Sequence, residues 1–326
     1  MGIKIITLTL NPSLDRTLLT HYLSIGYHNR TTETTRLDPA GRGVNITRAL
    51  RRLGCSTTAV IMLGDDPTGK AYQALITEEG FPVEIVTKAG RTRSNVTIVD
   101  TGNKTETHLI EEGEGCTPEN IQAIRARLLD VIQPDDVLML AGSLPAGAPS
   151  NTYAMLSQAA HEAGAVVVLA GRNPDRTSQA LEVGTDVVVL TQNEMEALFN
   201  HPIRTPEDIL FCSQKLREDG VQQVITTTLQ DMTTPLAAVL VTAEGAWRVD
   251  IAESENGTQD GVEDALLAGF LTAWSKRYSS AKALELGGAA AMYTATQLGS
   301  EFATLDDAQA ILPRVAVSAL NVTPLT

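Results

Sequence analysis

Short apolar runs rich in Val and Ile alternate along the chain with longer segments in which apolar residues recur at helical spacing. Residues 3–10 form the first such run, which stops at Asn11 and Pro12, whereas residues 44–53 follow the helical pattern. The other runs are too short for helices and suit strands that are covered on both faces; they are residues 58–63, 137–141, 166–169, 187–190 and 224–227. Helices are predicted between them at residues 69–79, 118–131, 151–163, 194–199 and 207–219. The alternation predicts an α/β fold in which helices cover both faces of a mainly parallel sheet.

Two polar segments interrupt this alternation. Residues 16–38 and 91–111 are rich in Thr and alternate only in part between apolar and polar positions. We predict that they form strands that pair with each other outside the main sheet. Since no internal repeat, low-complexity block or linker divides the sequence, residues 1–326 are expected to form a single domain.

Composition limits the possible partners. With 43% hydrophobic residues in a chain of 326, a substantial core can form. The formal net charge is −14, from 25 Lys plus Arg and 39 Asp plus Glu, and the densest basic stretch is only Arg48, Arg51 and Arg52. Such a surface repels phosphate backbones, so no nucleic acid is expected as a partner.

Nothing in the sequence is typical of a membrane protein. The amino terminus carries no cleavage-site pattern, and no apolar run reaches the length that crosses a bilayer. Cys55, Cys116 and Cys212 lack the paired spacing of zinc or redox motifs and are expected to be reduced and mostly buried. A cytoplasmic protein with no membrane partner is therefore expected.

The first candidate site residue follows the first predicted strand. In open parallel sheets, ligands bind at the carboxyl ends of the strands. Asp15, in the segment 11–15, could there accept hydrogen bonds from the hydroxyl groups of a sugar. A turn at Asn11 and Pro12, with Asp15 bonded to its own backbone, explains the same residues.

A glycine-rich loop at residues 39–45 precedes the first predicted helix. Glycines such as Gly41 let backbone N–H groups approach an anion at a helix amino terminus. Arg42 could add a charge-assisted contact to a sugar phosphate, and Asn45 could reach a hydroxyl group. By itself a glycine-rich loop is a weak signal.

Two further segments suit the same crevice. In residues 91–95, Arg91 and Arg93 flank small polar residues and could clamp a phosphate, although charges on an exposed edge strand explain the same pattern. Ser143, in the segment 142–147, follows a predicted strand and would face the crevice. An ordinary turn between a strand and a helix also accounts for this second segment.

Acidic residues occur in two motifs. Asn193 and Glu196 could hold Mg²⁺ through water, or they could form a helix capping box that needs no metal. Asp264 precedes a predicted apolar helix and could take a proton from a sugar hydroxyl while nearby amides receive a transferred phosphoryl group. An Asp in the first turn also complements the helix dipole without any catalytic role.

The order and spacing of these motifs resemble the PfkB carbohydrate kinases of the ribokinase superfamily, in particular the branch of 1-phosphofructokinases and tagatose-6-phosphate kinases. The similarity covers nearly the whole chain and is closest at residues 9–15, 39–45, 92–95 and 142–145. It implies a three-layer α/β/α sandwich with a small β-sheet lid, formed by the two polar segments, that closes over the sugar and often mediates a homodimer. It also implies transfer of a phosphoryl group from ATP, with Mg²⁺, to a sugar phosphate.

The resemblance assigns a role to each candidate residue. Asp264 would be the catalytic base, and Arg42 and Arg93 would hold the existing phosphate of the substrate. The remaining residues would bind the substrate, the nucleotide or the metal: Asp15, Gly41, Asn45, Asn95 and Ser143 for the substrate; Thr228, Gly261, Val262 and Glu263 for the nucleotide; Asn193 and Glu196 for Mg²⁺.

Several motifs depart from the family pattern. Gly-Gly-Lys-Gly reads Ala-Gly-Arg-Gly at residues 40–43, and Gly-Ala-Gly-Asp reads Gly-Val-Glu-Asp at residues 261–264. Other nucleotide-side and neighbouring signatures are altered at residues 169–172, 191–193 and 228–234. Because a Glu beside a triphosphate would repel it, a second hypothesis is a catalytically impaired homologue that only binds a sugar phosphate. A third is a site adapted to another donor or a metal.

Overall fold

The computed structural model describes residues 3–31, 35–171, 173–228, 236–251, 260–297 and 299–321. These residues form two β-sheets with helices around the larger one. The strands are β1 (Lys4–Thr9), β2 (Ser13–Thr20), β3 (Thr35–Ala40), β4 (Ser56–Gly64), β5 (Val83–Lys88), β6 (Arg93–Asp100), β7 (Thr105–Ile110), β8 (Val137–Ala141), β9 (Val166–Ala170), β10 (Val187–Thr191), β11 (Gln223–Thr228), β12 (Ala237–Thr242), β13 (Gly245–Asp250) and β14 (Val317–Leu320).

The large sheet is mainly parallel. Its order is β14-β13-β12-β11-β10-β9-β8-β1-β4-β5, and β11 through β4 and β5 are parallel, whereas β12, β13 and β14 are antiparallel additions at one edge. The predicted strands lie in the parallel part. The antiparallel strands were not predicted, because their short apolar runs lack the helical partner that marks each parallel crossover.

Helices cover both faces of the large sheet. They are α1 (Arg42–Arg52), α2 (Pro67–Glu78), α3 (Pro118–Val131), α4 (Thr152–Glu162), α5 (Pro174–Glu182), α6 (Gln192–Phe199), α7 (Pro206–Glu218), α8 (Val262–Ser275), α9 (Ser280–Thr294) and α10 (Leu305–Ile311). Buried side chains of α1, α2, α8 and α9 fill the core on one face, and those of α3 through α7 fill the core on the other. The three-layer α/β/α prediction is therefore confirmed.

The small sheet is built from the two polar segments. Its order is β3-β2-β6-β7, and the central strands β2 and β6 are parallel, with Ser13 opposite Arg93 and Asp15 opposite Asn95. This confirms that the segments pair with each other outside the main sheet. The pairing matters for the site because it places polar residues from two distant parts of the chain side by side.

Helix α9 escaped prediction for a physical reason. Its sequence is dominated by Ala and Gly, and it is buried on most sides, so it lacks an apolar stripe. It packs closely on α8, where a Cβ at Gly269 would lie 2.6 Å from the carbonyl oxygen of Leu286. Helix α8 is accordingly buried at every position from Asp264 to Ala273 rather than on the single face that its sequence indicates.

The cysteines are mostly buried, as the sequence predicts. Cys55 and Cys212 are buried, Cys116 is half-buried, and all three are free thiols. None of the helices in the described ranges combines the length and the hydrophobicity needed to cross a bilayer.

Candidate active site

A cavity of about 290 Å³ lies where β1 and β8 end and the small sheet begins. Its lining includes four residues that the sequence predicts to bind substrate, namely Arg42, Arg93, Asn95 and Ser143. Asn11 lies among them and donates from Nδ2 to Oγ of Ser143 at 3.2 Å. The carboxyl ends of the two neighbouring parallel strands thus meet in one crevice, as expected for this type of sheet.

Asp15 stands beside the cavity, held by the small sheet. The register of β2 and β6 places it next to Asn95, whose Nδ2 donates to Oδ1 of Asp15 at 2.9 Å and to Oγ of Ser13 at 3.0 Å. Burial raises the pKa of Asp15 from 3.8 to about 6, and the hydrogen bond from Ser13 and the charge of Arg93 oppose this rise. A partly buried carboxylate with two polar partners is a suitable acceptor for sugar hydroxyl groups.

Arg93 is anchored by backbone carbonyl groups. Its Nη2 donates to the oxygen of Asn11 at 3.1 Å, and its Nη1 donates to the oxygen of Glu111 at 3.2 Å. Burial lowers the pKa of Arg93, against the charges of Asp15 and Glu111. Arg91 does not share the site, since its side chain is 72% exposed and pairs with Glu114 at 2.7 Å. Of the two arginines that the sequence singles out, only Arg93 lines the cavity.

Glycines bring the start of α1 against β1. Gly41 has φ +131°, and a Cβ there would lie 2.6 Å from Cγ2 of Thr9. A Cβ at Gly43 would lie 2.4 Å from the carbonyl oxygen of Leu8. The glycines therefore serve close backbone packing. Because Gly41 and Gly43 allow this close approach, Arg42, which stands between the two glycines in the sequence, lies at the end of β1 and lines the cavity.

The start of α8 meets the start of α1. Gly261, with φ +79°, caps α8, and Asp264 lies in the first turn with only 7% of its surface exposed. Oδ2 of Asp264 accepts from Nδ2 of Asn45 at 3.1 Å, and Oδ1 lies 3.3 Å from Nε of Arg42. Asp264 is thus joined through Arg42 to the cavity that Arg93 lines.

Glu263 is paired inside the protein with Thr227 and Arg42. Its Oε1 accepts from Oγ1 of Thr227 at 2.7 Å, and its Oε2 accepts from Nη2 of Arg42 at 3.4 Å. Although burial would lower the pKa of Arg42, the charges of Glu263 and Asp264 raise it above the ordinary value. The repulsion that the sequence predicts for Glu263 is therefore reduced by a counter-charge only one contact away.

Thr227 is a residue that the sequence analysis missed. Neighbouring residues of a strand point to opposite faces, so Thr227 and Thr228 at the end of β11 cannot both reach α8. Thr228 instead donates from Oγ1 to the carbonyl oxygen of Ala237 at 3.3 Å, within the sheet. The alternation along the strand indicates that only one of the two threonines can face α8. Which of them does so depends on the position of α8, which the sequence does not give.

The predicted metal residues lie on α6. This helix begins at Gln192, and its capping box joins Thr191 and Glu194, so the alternative interpretation of Asn193 and Glu196 as a capping box is wrong. Oε1 of Glu196 accepts from the backbone N–H of Ile203 at 2.7 Å. Within the ranges that the structure describes, no three acidic, His or Cys side chains cluster as a metal site. The altered signature at residues 229–234 and Arg172 lie outside the described residues.

The site combines a cavity at the strand ends, a small sheet beside it and an Asp at the start of an apolar helix. A known protein family matches the chain across all of these elements. Residues 9–307 match the family described as PfkB, pfkB family carbohydrate kinase. The chain belongs to this family.

Members of the PfkB family resemble the chain over almost its full length. The 1-phosphofructokinase of Bacillus subtilis (strain 168) is 29% identical over 320 residues, which are 97% of this chain and 100% of that one. The ATP-dependent 6-phosphofructokinase isozyme 2 of Escherichia coli (strain K12) is 25% identical over 310 residues, 95% of this chain and 98% of that one. The crystal structure of phosphofructokinase-2 from Escherichia coli in complex with substrates and products has a TM-score of 0.87 at 25% identity and covers 96% of this chain and 99% of that one.

These similarities confirm the PfkB resemblance, the ribokinase-like fold and the class of sugar-phosphate kinase. They lend no support to the alternative of a catalytically impaired binding homologue.

If Asp15 binds the sugar, as the sequence predicts, its pKa sets how substrate affinity depends on pH. The carboxylate loses acceptor capacity as pH falls through about 6, so the KM for a sugar phosphate is expected to rise several-fold between pH 7.5 and pH 5.5. Steady-state kinetics across this range measures the effect. Because the second ionisation of a phosphate also lies near pH 6, Asp15→Asn is the control: it should retain only the part of the dependence that belongs to the ligand. An identical pH dependence in both proteins would contradict the assignment.

The same pKa also sets a stability trend. A carboxyl group whose pKa in the folded protein exceeds its ordinary value of 3.8 contributes stability below that value, and the contribution is lost as pH rises through about 6. We therefore expect Asp15→Asn to melt at the same temperature as the parent or higher at pH 7.5, while its KM is raised.

Proposed function

We propose that this carbohydrate kinase transfers the γ-phosphoryl group of ATP to a hexose phosphate such as fructose 1-phosphate, fructose 6-phosphate or tagatose 6-phosphate. The observation that carries the proposal is the convergence of Arg93, Arg42 and Asp264: the two arginines line one cavity, and Arg42 lies 3.3 Å from Asp264. Two cations suit an anionic sugar, and a buried carboxylate suits proton transfer. The relatives named 1-phosphofructokinase and 6-phosphofructokinase support the same substrate class.

In the proposed reaction, Asp264 accepts the proton of the attacking sugar hydroxyl. A bond forms between the hydroxyl oxygen and the γ-phosphorus, and the bond from this phosphorus to the oxygen that bridges to the β-phosphate breaks. Arg42, next to Asp264, is placed to stabilise charge on the transferring group, and Arg93 is placed for the existing phosphate. The sequence-based expectation placed both arginines on the existing phosphate of the substrate. Here only Arg93 keeps that role, and Arg42 is assigned to the transferring phosphoryl group.

Asp15, Asn45, Asn95 and Ser143 would bind and orient the sugar. Asn95 donates to both Asp15 and Ser13, so it fixes the orientation of the Asp15 carboxylate, which would accept a hydrogen bond from a sugar hydroxyl. Gly41 would act indirectly, by allowing the close approach of α1 that places Arg42. Positioning of this kind supplies a large share of phosphoryl-transfer catalysis.

The nucleotide would bind at the start of α8, where Gly261, Val262 and the first-turn amides present a helix amino terminus to an anion. The positive φ of Gly261 and the compensated charge of Glu263 fit a phosphate there. Thr228, the other residue that the sequence predicts for the nucleotide, points to the opposite face of β11 from Thr227 and bonds within the sheet, so its side chain would not contact a nucleotide bound at α8.

Magnesium would be held mainly by nucleotide phosphates and water, with Asn193 and Glu196 acting through water. Magnesium keeps several of its waters, so a single carboxylate and an amide acting through water would suffice to hold it beside the phosphates. When bound, Mg²⁺ neutralises charge on the phosphate oxygens.

The test is release of ADP by the purified protein with Mg²⁺ and ATP, over a panel of the three hexose phosphates and unphosphorylated fructose. We expect turnover that depends on at least one hexose phosphate and is far weaker with fructose. A folded protein, shown by a cooperative thermal transition, that turns over none of the panel would contradict the proposal.

A homodimer formed through the small sheet and a cytoplasmic location remain predictions. The dimer is supported by exposed apolar side chains on that sheet, since Leu37, Leu109 and Ile110 are 40%, 57% and 68% exposed. A solution mass equal to a single chain would contradict it.

A further inference from the structure

We propose that Arg42 and Glu263 act as one unit, in which Glu263 is a positioning residue that holds the Arg42 guanidinium between itself and Asp264 and supplies its counter-charge. The inference rests on the proposed function, because it concerns how the same site orients Arg42 for an anionic substrate.

The geometry of the Arg42 side chain is the first argument. The edge formed by Nε and Nη2 of an arginine closes naturally on both oxygens of one carboxylate. Here that edge faces two acids: Nη2 donates to Glu263 at 3.4 Å, whereas Nε lies 3.3 Å from Asp264 as an ion pair without a hydrogen bond. Glu263 thus takes the Nη2 hydrogen bond of Arg42, while Oδ2 of Asp264 accepts from Asn45.

Burial makes this division matter. The side chains of Arg42, Glu263 and Asp264 are only 8%, 16% and 10% exposed. Charges so placed are weakly screened by solvent, and removing one partner of a buried pair leaves the other uncompensated. Thr227 fixes the outer end of the unit, since its hydroxyl donates to Glu263 at 2.7 Å. The orientation of Arg42 is thus set from β11 through Glu263.

The two residues also depart together from the pattern that the sequence resembles. Arg stands where Lys is usual, and Glu stands where Gly is usual, 221 positions apart in the chain. Their contact gives the two departures a common explanation. A lysine has one ammonium and cannot present a planar fork to two carboxylates, and a glycine cannot supply a counter-charge. Arg42→Lys and Glu263→Gly are therefore each expected to lower activity when made alone, and the double variant is expected to recover part of that loss.

The experiment compares four proteins: the parent, Arg42→Lys, Glu263→Gly, and the double variant. For each, kcat and KM are measured with the best hexose phosphate, and sugar-phosphate affinity is measured by calorimetry without nucleotide. We expect the kcat/KM of each single variant to fall at least tenfold. The kcat/KM of the double variant should be higher than that of either single variant. Losses that multiply independently in the double variant would overturn the inference, because they show that the two residues are not coupled.

Two further variants separate positioning from folding. Glu263→Gln keeps an acceptor for Thr227 but removes the charge, and Arg42 keeps Asp264 as its counter-charge, so the variant should lower kcat and still unfold in one cooperative thermal transition. It also serves if Glu263→Gly does not fold. Glu84→Gln is the matched control: it removes the acid of another Arg–Glu contact, that of Arg127 at 3.6 Å on the surface, and should leave kcat and KM unchanged. Unchanged kinetics in Glu263→Gln would overturn the inference.

The readouts distinguish this inference from the proposed function. If the parent turns over no hexose phosphate, the proposed function fails, and coupling between Arg42 and Glu263 is then read from the calorimetric affinities of the same four proteins. If the parent is active and the effects are independent, the inference fails and the function stands.

Discussion

Asp264→Asn is expected to lower kcat by about 10²- to 10⁴-fold, the usual contribution of a positioned general base. Asparagine has nearly the same shape but cannot take the proton of the sugar hydroxyl. Its side chain can still pack at the start of α8, where Asp264 is 7% exposed and contacts Asn45 and Arg42. The KM for the sugar phosphate should therefore change far less than kcat.

The measurement is steady-state kinetics together with calorimetric binding of the sugar phosphate, so that chemistry and binding are separated. Asp250→Asn is a suitable control, since this acid pairs with Arg248 on the surface at 2.6 Å and should leave kcat unchanged. A kcat of Asp264→Asn within a few-fold of the parent would contradict the role of Asp264 as base.

Arg93→Met is expected to raise the KM for the sugar phosphate by about 30-fold or more, because loss of a charge-assisted contact in a desolvated site commonly costs about 2–5 kcal/mol. Methionine keeps much of the length and apolar volume of the side chain. The backbone carbonyl group of Glu111 accepts from Arg93 at an exposed position and can be hydrated in the variant. The kcat at saturation should fall less than kcat/KM.

Two comparisons make this prediction specific. Arg91→Met removes the same charge two residues earlier, at an exposed position paired with Glu114, and should leave KM unchanged. Residual activity on unphosphorylated fructose should be similar in the parent and in Arg93→Met, because that sugar has no phosphate for Arg93 to bind. An equal loss on both sugars would show that Arg93 supports the structure of the cavity rather than the phosphate.

The local pattern predicted much of the fold. The bounds of β8 and α3 agree residue for residue with the predicted segments 137–141 and 118–131. These elements have clear local signals: a run of five buried apolar residues, and a capping box followed by helical periodicity. Helix α9 and the antiparallel strands β12 to β14 were missed. The sequences of these elements lack a clear helical or alternating pattern, because their residues suit contacts with distant parts of the chain. The close packing of α9 on α8 is one example.

By itself, the sequence determined which residue types were available to the site and which strand ends and helix starts would carry them. Arg42 and Asp264 could be chosen because they stand at predicted helix starts, and Arg93 because it flanks small polar residues in a Thr-rich segment. Their roles came from the resemblance to the PfkB kinases. The small sheet could also be expected from its polar, partly alternating strands.

Only the tertiary structure decided which of these side chains meet. The contact of Arg42 with Glu263, the choice of Thr227 over Thr228 and the exclusion of Arg91 from the cavity all depend on how α1, α8 and the small sheet pack. A sequence specifies local conformation through residues a few positions apart. An ion pair between residues 221 positions apart exists because the hydrophobic core brings two helix starts together, and no local pattern records that distance.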